Sequence, residues 1–109
     1  MRIKHLFYPK RKQDLFALGE RRLAQLEAEG RYSCYRNTRA TLRKLARYFG
    51  AVHFPVGRIT PELAGGFRDF LINEVGNHPN TATENLKIFS QLYARLVDRR
   101  KQELVEMLE

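Results

Sequence analysis

The chain has 109 residues, 43% of them hydrophobic and 29% charged, with a formal net charge of +8 and a pI near 10.1. That length suits one domain, and the apolar fraction excludes wholesale disorder. The positive balance favours an anionic partner, nucleic acid above all, and no apolar run approaches the length of a membrane span.

Residues 1–12 carry Pro9 followed by Lys10, Arg11 and Lys12, and read as a basic linker or as an arm that touches phosphates. The opening MRIKHLFYPKRKQ lacks a long apolar run and a cleavage site, so no signal peptide is expected. From Gln13 to Glu29 strong helix formers surround Leu15, Phe16, Leu18, Leu23 and Leu26, with Asp14 at the start and Gly30 just past the end. Gly19 weakens the middle of this first helix, which points to the close approach of another helix there.

The next stretch, YSCYRNTRATLRKLARYF from Tyr32 to Phe49, predicts an amphipathic second helix with two faces. Tyr35, Thr38, Leu42, Leu45 and Phe49 recur at helical spacing and form the core side. Arg36, Arg39, Arg43 and Arg47 recur at the same spacing, about 125° around at roughly 100° per residue. No Asp or Glu occurs from Arg31 to Arg58, so no neighbour in sequence neutralises that row. Solvated helix faces normally mix signs to gain ion pairs one turn apart, so the row points to a polyanion. Arg47, near the helix end, serves the helix dipole as readily as it serves a ligand. Ser33 is the expected cap and Gly50 the stop.

The connection AVHFPVGRI contains Pro55 and Gly57 and predicts an ordered loop pinned by Phe54 rather than a strand. Thr60-Pro61-Glu62 opens a third helix that runs to Glu74, with Leu63, Phe67, Phe70 and Leu71 inward and Gly76 as terminator. The turn GNHPN leads to a fourth helix, where Thr81 and Glu84 have capping-box spacing and Asn80 is an alternative cap. Its apolar face is Ala82, Leu86, Phe89, Tyr93 and Leu96. It is expected to reach Lys101, with 102–109 a helical extension or an added tail. The whole is an all-α bundle of four or five helices with its core domain at 13–101.

Cys34 is the single cysteine, which excludes an internal disulfide and favours a reducing, cytoplasmic setting; it is expected packed or half-exposed on the second helix. His5, His53 and His78 are too scattered to form a metal site with it, and no metal or cofactor is implied.

In this order of features the chain resembles the core-binding, SAM-like N-terminal domain of tyrosine recombinases and phage-type integrases, especially those of mobile elements. Three segments carry the likeness: GRYSCYRNTRATLRKLARYFG, ITPELAGGFRDFLINEVG and HPNTATENLKIFSQLYARLV. Departures from the family pattern are His78 before Pro79-Asn80-Thr81, Asn85 at a place often aromatic, and Phe89 at a place often leucine. The resemblance implies a compact helical domain that closes over one face of duplex DNA at a core recombination site, in a prokaryotic or phage context. The partners it implies are that DNA, a catalytic domain on the same polypeptide and other recombinase protomers. By position it implicates Arg36, Arg39, Arg43, Lys44 and Arg47 on the second helix. On the fourth it implicates Asn80, Thr81, Thr83 and Lys87, where capping alone also explains Asn80 and Thr81. The family's catalytic Arg…His-x-x-Arg…Tyr set is not in this sequence, and Tyr8, Tyr32, Tyr35, Tyr48 and Tyr93 read as core or rim aromatics, so no catalytic residue is assigned. Two other readings stay open: a helical protein-interaction module using Phe7, Tyr8 or LVEML, and an unrelated basic helical DNA-binding factor reading the major groove.

Overall fold

The computed structural model describes residues 14–108; the basic segment 1–12, with His5, Phe7 and Tyr8, lies outside the described residues. Four helices follow in order: α1 Leu15–Ala28, α2 Tyr32–Phe49, α3 Pro61–Phe70 and α4 Pro79–Leu108. Among the described residues there is no strand, only an isolated bridge between Asp14 and Pro55. The protein is an all-α bundle. Its core is built on Leu15, Leu26, Leu45, Phe67, Leu71 and Leu96, all fully buried. Each such side chain contributes about 1.5–3 kcal/mol relative to exposure.

The helix ends follow local chemistry. Gly30, Gly50 and Gly76 all adopt positive φ, 71°, 69° and 80°, the left-handed conformation that ends a helix at little steric cost in glycine. Asp14 caps α1: its Oδ2 accepts from the backbone N–H groups of Phe16 at 3.1 Å and Ala17 at 3.0 Å. The other carboxylate oxygen accepts from the Phe54 N–H, and the Leu15 N–H donates to the Phe54 carbonyl at 3.0 Å. One buried carboxylate therefore ties the start of α1 to a loop forty residues on in the chain.

Phe54 is the pin that the sequence implies. It is buried, stacks on Phe49 at 3.8 Å and 10° between ring planes, and carries the Arg58 guanidinium over its ring at 5.0 Å. Behind it, Phe67 meets Phe89 edge-on at 5.7 Å. The loop closes with a 3₁₀ turn at Val56–Arg58. Gly19 proves to be a contact glycine. A Cβ there would lie 2.7 and 2.8 Å from the Leu42 methyls, so α1 and α2 approach more closely than alanine permits.

Several expectations are corrected. Helix α2 begins at Tyr32, not after Ser33, and Arg31 occupies its cap position without a side-chain capping bond. The Gly30 turn closes with the Arg31 N–H on the Leu26 carbonyl at 2.9 Å, which leaves no residues for a separate cap. Ser33 and Cys34 lie exposed in the first turn. Helix α3 ends at Phe70 and continues as a π-helical turn, Leu71–Val75. On α4, Asn85 and Leu92 are buried while Tyr93 is 38% exposed. The face is rotated from the apolar pattern because α4 packs against α1 and α2 as well as α3. Helix α4 then continues through 102–108 as one rod.

Candidate nucleic-acid interface

The basic row of α2 is realised on the surface. Arg36, Arg39 and Arg43 are exposed, and among the described residues none of the three has an ion-pair or hydrogen-bond partner. Three guanidinium groups on successive turns thus keep all their donors free for a ligand. Arg39 and Arg43 also edge a groove of about 840 Å3 between α1 and α2, whose other side carries Asp14, Glu20 and His53. Residues 31–58 themselves contribute no Asp or Glu beside the row.

Lys44 and Arg47 differ from these three. Lys44 is half-buried, and burial pushes its ammonium below the ordinary lysine pKa. A phosphate nearby would reverse that effect. Arg47 is exposed but holds its guanidinium 5.7 Å from the centre of the Phe70 ring, as a cation–π contact between α2 and α3. It is also the one basic residue in the last turn of α2. Of the five basic candidates on α2, Arg47 has the clearest structural employment.

At the start of α4 the groups are arranged differently from the expected capping box. His78 does the capping: its Nδ1 accepts from the Asn80 N–H at 3.1 Å, and its carbonyl accepts from the Ala82 N–H at 3.0 Å. Proline at the first helical position needs no N–H partner, which lets the helix begin ahead of Thr81. Asn80 and Thr81 are both exposed and neither caps with its side chain. Thr83 is exposed, and its hydroxyl donates to the Pro79 carbonyl at 3.0 Å. Lys87 pairs with Glu84 at 3.4 Å, so the acid assigned to a capping box instead balances a candidate cation. The side-chain groups of Asn80 and Thr81 are thus the more available at this end.

Two arrangements were beyond the reach of the sequence pattern. Thr41 and Asn85 are buried and bonded to each other across α2 and α4, with Thr41 Oγ1 to Asn85 Oδ1 at 2.7 Å. The second lies at the far end of α2, where Arg22 of α1, Arg31 and Arg95 of α4 come together. Partial burial lowers the Arg22 pKa, and the like charges of Arg95 and Arg31 lower it further. An ion pair of Arg31 with Glu29 at 3.6 Å makes that cluster mixed in sign. Among the described residues no group of three or more His, Cys, Asp or Glu side chains gathers as a metal site, and no helix is long and apolar enough to cross a membrane.

The described residues thus form a small helical bundle with an unpaired arginine row on α2 and a polar turn at the head of α4. The phage integrase SAM-like domain family matches residues 14–100, and the chain belongs to that family. It is an integrase domain of the tyrosine recombinase type, and the SAM-like domain is a non-catalytic part of such integrases. No match was found among curated proteins or among solved structures.

Proposed function

We propose that this domain clamps duplex DNA at a core recombination site. The row Arg36, Arg39 and Arg43, with Lys44 beside it and Arg47 at its end, lies along the phosphate backbone. Asn80, Thr81, Thr83 and Lys87 at the head of α4 form the second contact. A catalytic domain on the same polypeptide holds the opposite face of the duplex, and further protomers assemble on the same site. The setting is the cytoplasm of a cell hosting a mobile element.

One observation carries this reading. Three exposed arginines on successive turns have no partner among the described residues, in a chain whose family serves DNA integration. Guanidinium forks match phosphate oxygens in pairs, and helix N-termini favour the same anions. Family membership also sets aside an unrelated DNA-binding factor as the alternative.

The test is a titration of a duplex in low salt. Reversing Arg39→Glu and Arg43→Glu together removes detectable binding and leaves the helical circular dichroism intact. Binding by the wild-type chain weakens by about 0.9 log units per neutralised phosphate for each tenfold rise in salt. Undiminished binding by the folded double variant would remove this face from the interface.

A further inference from the structure

We infer that the buried Thr41–Asn85 bridge is a positioning element, which sets the head of α4 against the arginine row of α2 so that both meet one duplex. The inference rests on the duplex-binding reading and deepens it. Thr41 is fully buried and Asn85 is 5% exposed. Among the described residues, theirs is the one buried hydrogen bond between two side chains. Thr41 Oγ1 lies 2.7 Å from Asn85 Oδ1 and 2.9 Å from the Asn37 carbonyl, its single proton shared between two acceptors. The Asn85 amide nitrogen then donates to the Thr81 carbonyl at 2.8 Å.

The result is a continuous polar path from the backbone of α2 at Asn37 to the backbone of α4 at Thr81. Both ends fall within the candidate interface. Asn37 follows Arg36, Thr41 sits between Arg39 and Arg43, and Thr81 is itself a candidate contact. Elsewhere these two helices meet the core through apolar side chains such as Leu42, Leu45, Phe89 and Leu92. Apolar contacts are non-directional and tolerate small rotations, whereas a hydrogen bond fixes direction as well as distance. Burying a polar pair adds little net stability, and an apolar replacement of similar shape is often neutral or stabilising. What such a pair supplies is register, a role attested for single buried polar residues in coiled coils.

Four forms of the 109-residue chain test this on a 20-base-pair duplex across a salt series: wild type, Thr41→Val with Asn85→Leu, Thr41→Ser, and Arg39→Ala with Arg43→Ala. The bridge-less double variant is expected to melt close to wild type. It binds about tenfold more weakly, with a salt slope shallower by about 1–2 because the α4 contacts no longer engage together with the row. Thr41→Ser keeps the hydroxyl and binds within about twofold of wild type. Should the bridge-less variant fail to fold, Thr41→Val alone, nearly equal in shape, is judged by the same affinity and slope per folded molecule. A folded bridge-less variant with wild-type affinity and slope overturns the inference. If the arginine variant has meanwhile lost binding, the duplex reading stands and only the bridge falls. If the arginine variant binds as wild type, the reading of the face fails and the bridge inference with it.

Discussion

Asp14 joins two distant parts of the chain, and removing its carboxylate should cost far more than an ordinary helix cap. It accepts the N–H groups of Phe16 and Ala17 through one oxygen and that of Phe54 through the other, while only 6% exposed. In Asp14→Ala the cap is lost, at about 1 kcal/mol. The buried Phe54 N–H is left without an acceptor, at about 1–3 kcal/mol. Together these make about 2–4 kcal/mol, a large share of the 5–15 kcal/mol that is usual for a domain. Asp14→Asn keeps one acceptor oxygen, which serves one side of the junction, so it should lose about half as much. Urea titrations followed by helical circular dichroism read both numbers, with the m-value unchanged because the same surface is exposed. At about 4–8 °C per kcal/mol, the alanine variant should also melt at least about 8 °C lower. A loss below about 0.5 kcal/mol for Asp14→Ala would refute the idea that this carboxylate joins α1 to the Phe54 loop.

Three further outcomes follow from particular contacts. A Cβ at Gly66 would run into the Tyr48 hydroxyl, which donates to the Leu63 carbonyl at 3.1 Å. Gly66→Ala should therefore destabilise by about 1–3 kcal/mol from overpacking. In a Tyr48→Phe background only the ring carbon at 3.3 Å remains in the way, so most of that cost should vanish; a double-mutant cycle by thermal melts measures that coupling. Lys44 has its pKa lowered by burial, so its proton is held less tightly in the folded chain than in the unfolded one. The fold is penalised wherever the lysine is charged in both states, and the penalty lifts as pH rises from the folded towards the unfolded pKa. Lys44→Met should accordingly melt higher at neutral pH and bind duplex less well, the stability gain shrinking in alkaline buffer. Arg47→Ala should lose about 0.5–1 kcal/mol of stability through the Phe70 contact, and less duplex affinity than Arg39→Ala in a parallel titration.

The bundle was legible because its signals are local. Three- and four-residue spacing located the buried side of α2 at Thr38, Leu42 and Leu45, and the glycines at 30, 50 and 76 all stop helices with positive φ. Even the reason for Gly19 was visible, since a glycine in mid-helix is costly unless something packs onto it. Signals that depend on a partner far along the chain were invisible. Nothing near Asp14 announces Phe54, and nothing near Thr41 announces Asn85, 44 residues away. The His78 cap was missed for another reason. Imidazole is an uncommon capping group, and Thr81 with Glu84 offered a familiar pattern in the wrong register. The arginine row was legible as a row. Its place near the helix end already sets Arg47 apart, and the fold adds the contact with Phe70, which reaches that guanidinium from a different helix.

In the proposed function one surface, formed by α2 and the head of α4, meets the DNA backbone. Amide and arginine side-chain NMR spectra of the chain, recorded as an unlabelled duplex is added, test it most directly. Shifts are expected at Arg36, Arg39, Arg43 and Lys44 and at residues 80–83, fading together as salt is raised. Shifts gathered instead around Arg22, Arg31 and Arg95, or along α3, with the α2 row unmoved, would contradict it.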